Sequence, residues 1–209
     1  MNPDIEVIFL DHGNTLRFVV IDEEFSANAR NELMRLVETK DSPDIFFAKL
    51  NERWTAYRKS SIECMVEASE KELWTIHLLP DYPTEKIAPL AGKLTRLWRD
   101  KDGRRIPPPE TKEVIIELHN RGYTLGILAN TITETEIPDW LAEEQLDQYF
   151  KTVVLSSVLK IKKQPWNARN SRMPGSGFHV FYVSRGFFYF CLRSPCKQPV
   201  ADPFPQCSV

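Results

Sequence analysis

Apolar residues follow two different periods along this chain, and the changeovers divide it. Val7-Ile8-Phe9-Leu10 is a short unbroken apolar run that stops at Asp11-His12-Gly13-Asn14-Thr15. A run of this kind, ended by turn residues, predicts a strand buried on both faces, as in the middle of a parallel sheet. From Asp22 to Lys40 the period becomes helical, with Phe25, Ala29, Leu33 and Leu36 on one face. Ser42-Pro43 then offers an N-cap followed by proline at the first helical position, and Phe46, Leu50, Trp54 and Tyr57 continue as a stripe. Ser69-x-x-Glu72 has capping-box spacing and opens a segment carrying Leu73, Trp74 and Leu78. A fourth helix is predicted over 84–100, with Ile87, Leu90, Leu94 and Leu97 inward. Together these read as an all-helical insertion without a strand.

After Pro107-Pro108-Pro109 the pattern changes again. The stretch 110–120 reads as a short helix with Val114, Ile115 and Leu118 inward, ended by Gly122. Tyr123 to Ala129 is a second buried-type strand, ending at Asn130-Thr131. A helix with Ile137, Trp140 and Leu141 on one face follows, and Thr152-Val153-Val154-Leu155 is a third strand. Strand, helix, strand, helix, strand is the doubly wound α/β pattern. Beyond Lys163 it does not continue. The apolar, aromatic stretch 178–192 is broken by Ser184-Arg185-Gly186 and can close as a β-hairpin on the core, and 195–209 reads as irregular.

Charge sharpens that break. The 209 residues carry a net charge of -2, but 28 of the 29 acids and 22 of the 27 bases fall in 1–163, a net of -6. Residues 164–209 hold one acid, Asp202, against five bases, a net of +4. They also hold three of the four cysteines and six of the fifteen prolines. The segment 164–209 is therefore read as a tail of foreign composition, not native to the fold. The balance offers no basic surface for nucleic acid. No apolar run reaches the ~20 residues of a membrane span. Met1-Asn2-Pro3-Asp4 has no signal-like pattern. A cytoplasmic location is expected. Cys191-x4-Cys196 has no second pair to complete a zinc site.

Three signposts in order are an apolar strand ending in Asp-x-x-x-Thr-Leu at Asp11, the run Arg121-Gly122-Tyr123-x-Leu125-Gly126-Ile127-Leu128-x-Asn130, and lysines near residue 163. In this the chain resembles the haloacid dehalogenase (HAD) superfamily over residues 5–163, and most resembles members with a small helical cap. The resemblance implies an α/β fold: a Rossmann-like three-layer core with a parallel sheet plus an all-helical cap insertion, the sheet incomplete at the C-terminus. It divides the chain into a HAD-like core (1–18 and 104–163) and a helical cap (19–103).

The family's residues carry over one by one. Asp11 falls on the nucleophile. A carboxylate in that role forms a covalent ester that water later breaks. The family's phosphatases carry a second aspartate two residues on, where this chain has Gly13. The Gly13 backbone carbonyl and Asp11 are the implied ligands of Mg²⁺. Thr15 matches the motif's threonine, and the Gly13-Asn14 turn can offer N–H groups to an anion. The serine or threonine of the second motif is replaced by Ala129, leaving Asn130 as substrate contact or as turn former. Lys160, Lys162 and Lys163 are candidates for the family's lysine, and spacing favours Lys163. The acidic pair that completes the metal site has no counterpart after Lys163. His12 is expected to face away from Asp11 in a structural role.

The implied function is a HAD-type hydrolase with an aspartate nucleophile acting on a small phosphorylated metabolite. Two alternatives stand: a 2-haloacid dehalogenase-like hydrolase, which also lacks the second aspartate, and a catalytically inactive or truncated HAD-like protein. The implied partner is a small-molecule substrate, not nucleic acid or membrane.

Overall fold

The computed structural model describes residues 7–162 and the backbone of two strands at 178–183 and 187–192. β1 (Val7–Leu10) is followed by a tight turn and by β2 (Phe18–Val20). Helix α1 (Glu23–Val37) starts where the Asp22 carboxylate accepts from the Phe25 N–H at 2.9 Å, with Glu23 and Glu24 set favourably against the helix dipole. Helix α2 (Pro43–Glu63) begins with proline at its first position. The expected capping box forms at Ser69 and Glu72 around α3 (Glu70–Glu72), after which the backbone widens into a π-turn, Leu73–Leu78. The single helix expected over 84–100 is divided at Pro89 into α4 (Thr84–Ile87), a 3₁₀ turn and α5 (Ala91–Asp100). Proline lacks the N–H that a continuous helix requires.

Chain return from these helices is through β3 (Arg104–Ile106), antiparallel to β2 with Val19 opposite Arg105. This ribbon brackets the helical insertion. Three-residue strands are too short for a periodicity reading, so the sequence showed none there. Gly103 enters β3 at φ 126, and a Cβ there would lie 2.4 Å from the Val20 carbonyl oxygen.

Helix α6 (Thr111–Asn120), β4 (Thr124–Ala129), α7 (Glu136–Glu143), β5 (Phe150–Leu155) and the single turn α8 (Ser156–Leu159) complete the core. β1 pairs parallel with β4, and β4 with β5. One expected inward residue differs: Val114 is exposed, because α6 turns Thr111 and Ile115 inward instead. Two strands from the tail, β6 (Phe178–Val183) and β7 (Phe187–Leu192), form the hairpin considered for that stretch. β7 pairs antiparallel with β1, giving the order β5-β4-β1-β7-β6. The β1 edge that an incomplete sheet would leave open is thus paired by backbone of the tail.

Two apolar clusters result. The core cluster holds Ile8, Leu10, Ile115, Leu125, Ile127 and Leu141. The insertion cluster holds Leu33, Leu50, Trp74, Ile87, Leu94 and Trp98, with Ile132 of the core packed into it. Each such side chain, fully buried, contributes roughly 1.5–3 kcal/mol. The Trp74 indole N–H donates to Thr95 Oγ1 at 2.8 Å, so its one polar atom is satisfied in the dry interior. No described helix is long and apolar enough to cross a membrane.

The Gly103 geometry gives a test of the ribbon. Gly103→Ala is expected to destabilise the chain by about 1–3 kcal/mol, since the residue must leave its positive φ or displace Val20. Urea unfolding of the two proteins measures it.

Candidate functional site

A cavity of about 590 Å³ lies between the strand ends and the helical insertion. Its core wall includes His12, Gly13, Asn14, Asn130, Thr131 and Lys162. These residues sit just past the carboxyl ends of β1 and β4 and past α8, the usual place for ligands in an open α/β sheet. The insertion contributes Trp54, Tyr57, Arg58, Glu67, Trp98 and Arg99, and the linkers contribute Arg17 and Arg105. Six cationic side chains line the cavity, Arg17, Arg58, Arg99, Lys101, Arg105 and Lys162, against two acids, Glu67 and Asp102. The lining therefore favours an anionic ligand.

The turn after β1 is tightly made. The His12 carbonyl accepts from the N–H groups of Leu16 and Arg17 at 3.0 and 3.1 Å, and the Asn14 N–H donates to the Arg17 carbonyl at 2.9 Å. Asn14 takes a left-handed φ of 57, a conformation asparagine tolerates. Asp11 is half-buried at the end of β1, and its Oδ1 accepts from the His12 N–H at 2.8 Å. It adjoins the cavity in sequence but is not one of its lining residues. Thr15 is buried beneath the turn, away from the wall. His12 is buried with its ring edge-on to Trp140, centroids 5.4 Å apart. Burial chiefly, with Arg17, Arg99 and Arg105 adding to it against the opposing pull of Glu136, takes its pKa down to about 3. The imidazole is neutral at physiological pH, consistent with a packing role.

Among the lysines, Lys160 pairs with the exposed Glu72, and Lys163 lies outside the described residues. Lys162 lines the cavity instead, paired with Glu67. Glu67 is 1% exposed and also engages the Tyr57 hydroxyl and Ser156 Oγ, the latter at 3.1 Å. Burial, and the adjacent Glu67, push the Tyr57 phenol upward. The backbone reinforces this contact: the Glu67 N–H donates to the Lys160 carbonyl at 3.1 Å and the Lys162 N–H to Met65 at 2.9 Å. Ala129 is followed by Asn130 and Thr131 on the wall, and the Thr131 N–H donates to Ser156 Oγ at 2.9 Å. The Thr131 hydroxyl oxygen accepts from the Thr133 N–H at 3.2 Å.

The sequence reading missed Glu67, Arg17, Arg99 and Arg105. None sits in a local motif. Their common signal is charge among apolar neighbours, visible only once the helices are folded together. Among the described residues no group of three or more His, Cys, Asp or Glu is arranged to hold a metal ion.

No family model matches this sequence, and no curated protein does. Solved structures with a similar fold include a Haemophilus somnus 129PT protein described as a predicted phosphoglycolate phosphatase. It has 12% identity and a TM-score of 0.42, over 78% of this chain and 67% of that one. A Clostridium difficile protein described as a phosphatase has 14% identity and a TM-score of 0.37, over 78% and 66%. The Bacillus subtilis protein YfnB, described as a HAD-hydrolase and solved with magnesium bound, has 16% identity and a TM-score of 0.40, over 77% and 67%. The chain spans about two thirds of the length of each.

A second carboxylate pair bridges insertion and core. The Glu134 N–H donates to Glu70 Oε1 and the Glu70 N–H to Glu134 Oε1, each at 3.1 Å. Burial, and then the facing Glu134 carboxylate, raise the Glu70 pKa, against the backbone hydrogen bond from Glu134 and the more distant Arg96. The folded state therefore holds this proton more tightly than the unfolded one. The stability it contributes is present below the ordinary carboxylate pKa of about 4.3 and is lost as pH rises through the raised value. Glu70→Gln keeps the carbonyl acceptor and removes the charge. It is expected to be more stable than the parent at pH 7, the difference vanishing near pH ~4. Urea unfolding across that range measures it.

Proposed function

We propose that the chain is a HAD-type hydrolase with Asp11 as nucleophile, acting on a small phosphorylated metabolite held between core and cap. The observation that carries this reading is the cation-rich cavity at the carboxyl ends of the parallel strands, beginning at the turn that follows Asp11. In this reading residues 19–103 are the cap and 1–18 with 104–163 the core. An Asp11 oxygen attacks phosphorus as the ester oxygen departs, giving an aspartyl-phosphate. Water then adds at phosphorus, releasing phosphate and the free carboxylate. Lys162 and the arginines offset the negative charge that builds on the phosphoryl oxygens. Asn14 and Asn130 offer donors to the same oxygens. The cap excludes bulk water while the ester persists.

Magnesium would have the Asp11 carboxylate and the Gly13 carbonyl as ligands. Among the described residues no group of three or more His, Cys, Asp or Glu is gathered there, so the donor set falls short of the near-octahedral oxygen shell Mg²⁺ requires.

Gly13 favours a second reading. No side chain there can protonate a leaving alkoxide, whereas displacement of halide from carbon needs no such acid. The same nucleophile would then form an ester with the substrate carbon, later opened by water, as in a 2-haloacid dehalogenase.

Phosphate release from a panel of sugar phosphates and p-nitrophenyl phosphate, and halide release from 2-chloropropionate, separate the two. Phosphate release lost by about 10³-fold in Asp11→Asn supports the first reading, since the nucleophile is removed. Chloride release with the same dependence supports the second, and no Asp11-dependent release of either overturns both. A Cβ at Gly13 would meet nothing within 4 Å, so a side chain fits there. Gly13→Asp is expected to speed phosphate release by roughly 10²-fold or more, the usual worth of a positioned general acid.

A further inference from the structure

Three guanidinium groups converge where the chain passes between core and cap. Arg17 follows the Asp11 turn, Arg99 lies in the last turn of α5, and Arg105 stands in β3 on the return. All three face the buried carboxylate of Glu136 in α7. Arg17 Nη1 lies 3.4 Å and Arg105 Nε 3.6 Å from Oε1, and Arg99 hydrogen-bonds Oε2. Asp100 adds a second carboxylate, 3.6 Å from Arg105 Nη1. Three positive charges thus meet two negative ones, and the arginine side chains are only 11–21% exposed.

A latch between cap and core would need one such pair. Each further buried cation adds desolvation cost and repels its neighbours. Burial pushes Arg17 and Arg105 below the usual guanidinium value, yet arginine stays charged in proteins. Hydrogen bonding is incomplete as well. Arg105 Nη1 and the 97%-buried His12 Nε2 have no hydrogen-bond partner among the described residues. Arg17, Arg99, Arg105 and His12 all line the cavity.

We propose that this hinge end of the cavity is an oxyanion subsite, in which Arg99 and Arg105 hold a second, non-reacting anionic group of the substrate. The assignment rests on the cavity being the substrate site, and it narrows the substrate to a small molecule with two anionic groups. A guanidinium presents parallel N–H donors that match a carboxylate or phosphate two at a time. Trp54 and Trp98, centroids 6.0 Å apart, form an aromatic wall of the same cavity, which suits an apolar or planar body between the two charges.

Calorimetric titration of the full chain with malonate and with inorganic phosphate tests this. At least one should bind, with affinity about 10-fold or more weaker in Arg99→Gln and Arg105→Gln, the usual effect of losing a charge-assisted hydrogen bond. Binding of neither anion, or unchanged affinity in these variants, overturns the proposal. Arginine modification by phenylglyoxal in the unsubstituted protein needs no variant to fold. The peptides containing Arg17, Arg99 and Arg105 should be protected by the anion that binds, and equal modification with and without it overturns the proposal. Neither readout uses turnover. Protection without Asp11-dependent hydrolysis counts against the hydrolase reading alone, and hydrolysis without protection counts against the subsite alone.

Discussion

Glu136 sets the relation between the two apolar clusters. Its carboxylate is 6% exposed, an expensive place for a charge unless cations surround it. Burial alone would raise its pKa, but Arg99 and Arg105 outweigh that and hold it below the usual carboxylate range. The cations come from three places: the exit from β1, the last cap helix and the returning strand β3. Both covalent connections between the sheet and the helical insertion are thereby tied to one point on α7. The β2–β3 ribbon keeps those paths in register, and the Arg105 carbonyl accepts from Arg17 Nε at 3.1 Å across it.

Glu67 performs the converse role from the cap side. It leaves the insertion, enters the core and takes Lys162 as its counter-ion. One buried acid thus reaches from α7 onto cations of the two connecting segments and of the last insertion helix, and the other reaches from the insertion onto a core lysine. Backbone pairing between Met65–Glu67 and Lys160–Lys162 fixes the second contact. Lys162 is paired with Glu67 here. In the proposed reading a phosphoryl group beside it would compete with Glu67 for the ammonium.

The strands were legible because their signals are local. Val7–Leu10 and Thr124–Ala129 are apolar runs ended by turn residues, and burial on both faces of a parallel sheet requires such runs. Ser69 was legible as a cap for the same reason, since a cap bonds within three residues of itself, whereas Ser42, expected to cap α2, makes no side-chain cap bond. The charged parts of the site were not. Lys162 and Glu67 are 95 residues apart, and Arg17 and Glu136 are 119 apart. No periodicity links such pairs, and an isolated arginine in sequence looks like any solvated one. Trp98 was missed although its signal is local. It stands four residues past Leu94, on the same buried face of α5.

Gly13 joins the local and the distant halves of the site. Its φ is not in the left-handed region, and a Cβ there would meet nothing within 4 Å, so no steric requirement keeps a side chain out. The strain in this turn falls on Asn14 instead, at φ 57. Backbone geometry therefore does not require the glycine. A carboxylate at Gly13 would project from a cavity-lining position into a wall whose net charge comes from four more cations than acids. It would compete with an anionic substrate for the same cations. In the proposed reading, leaving this position bare keeps those cations for the doubly anionic substrate and gives up a proton donor.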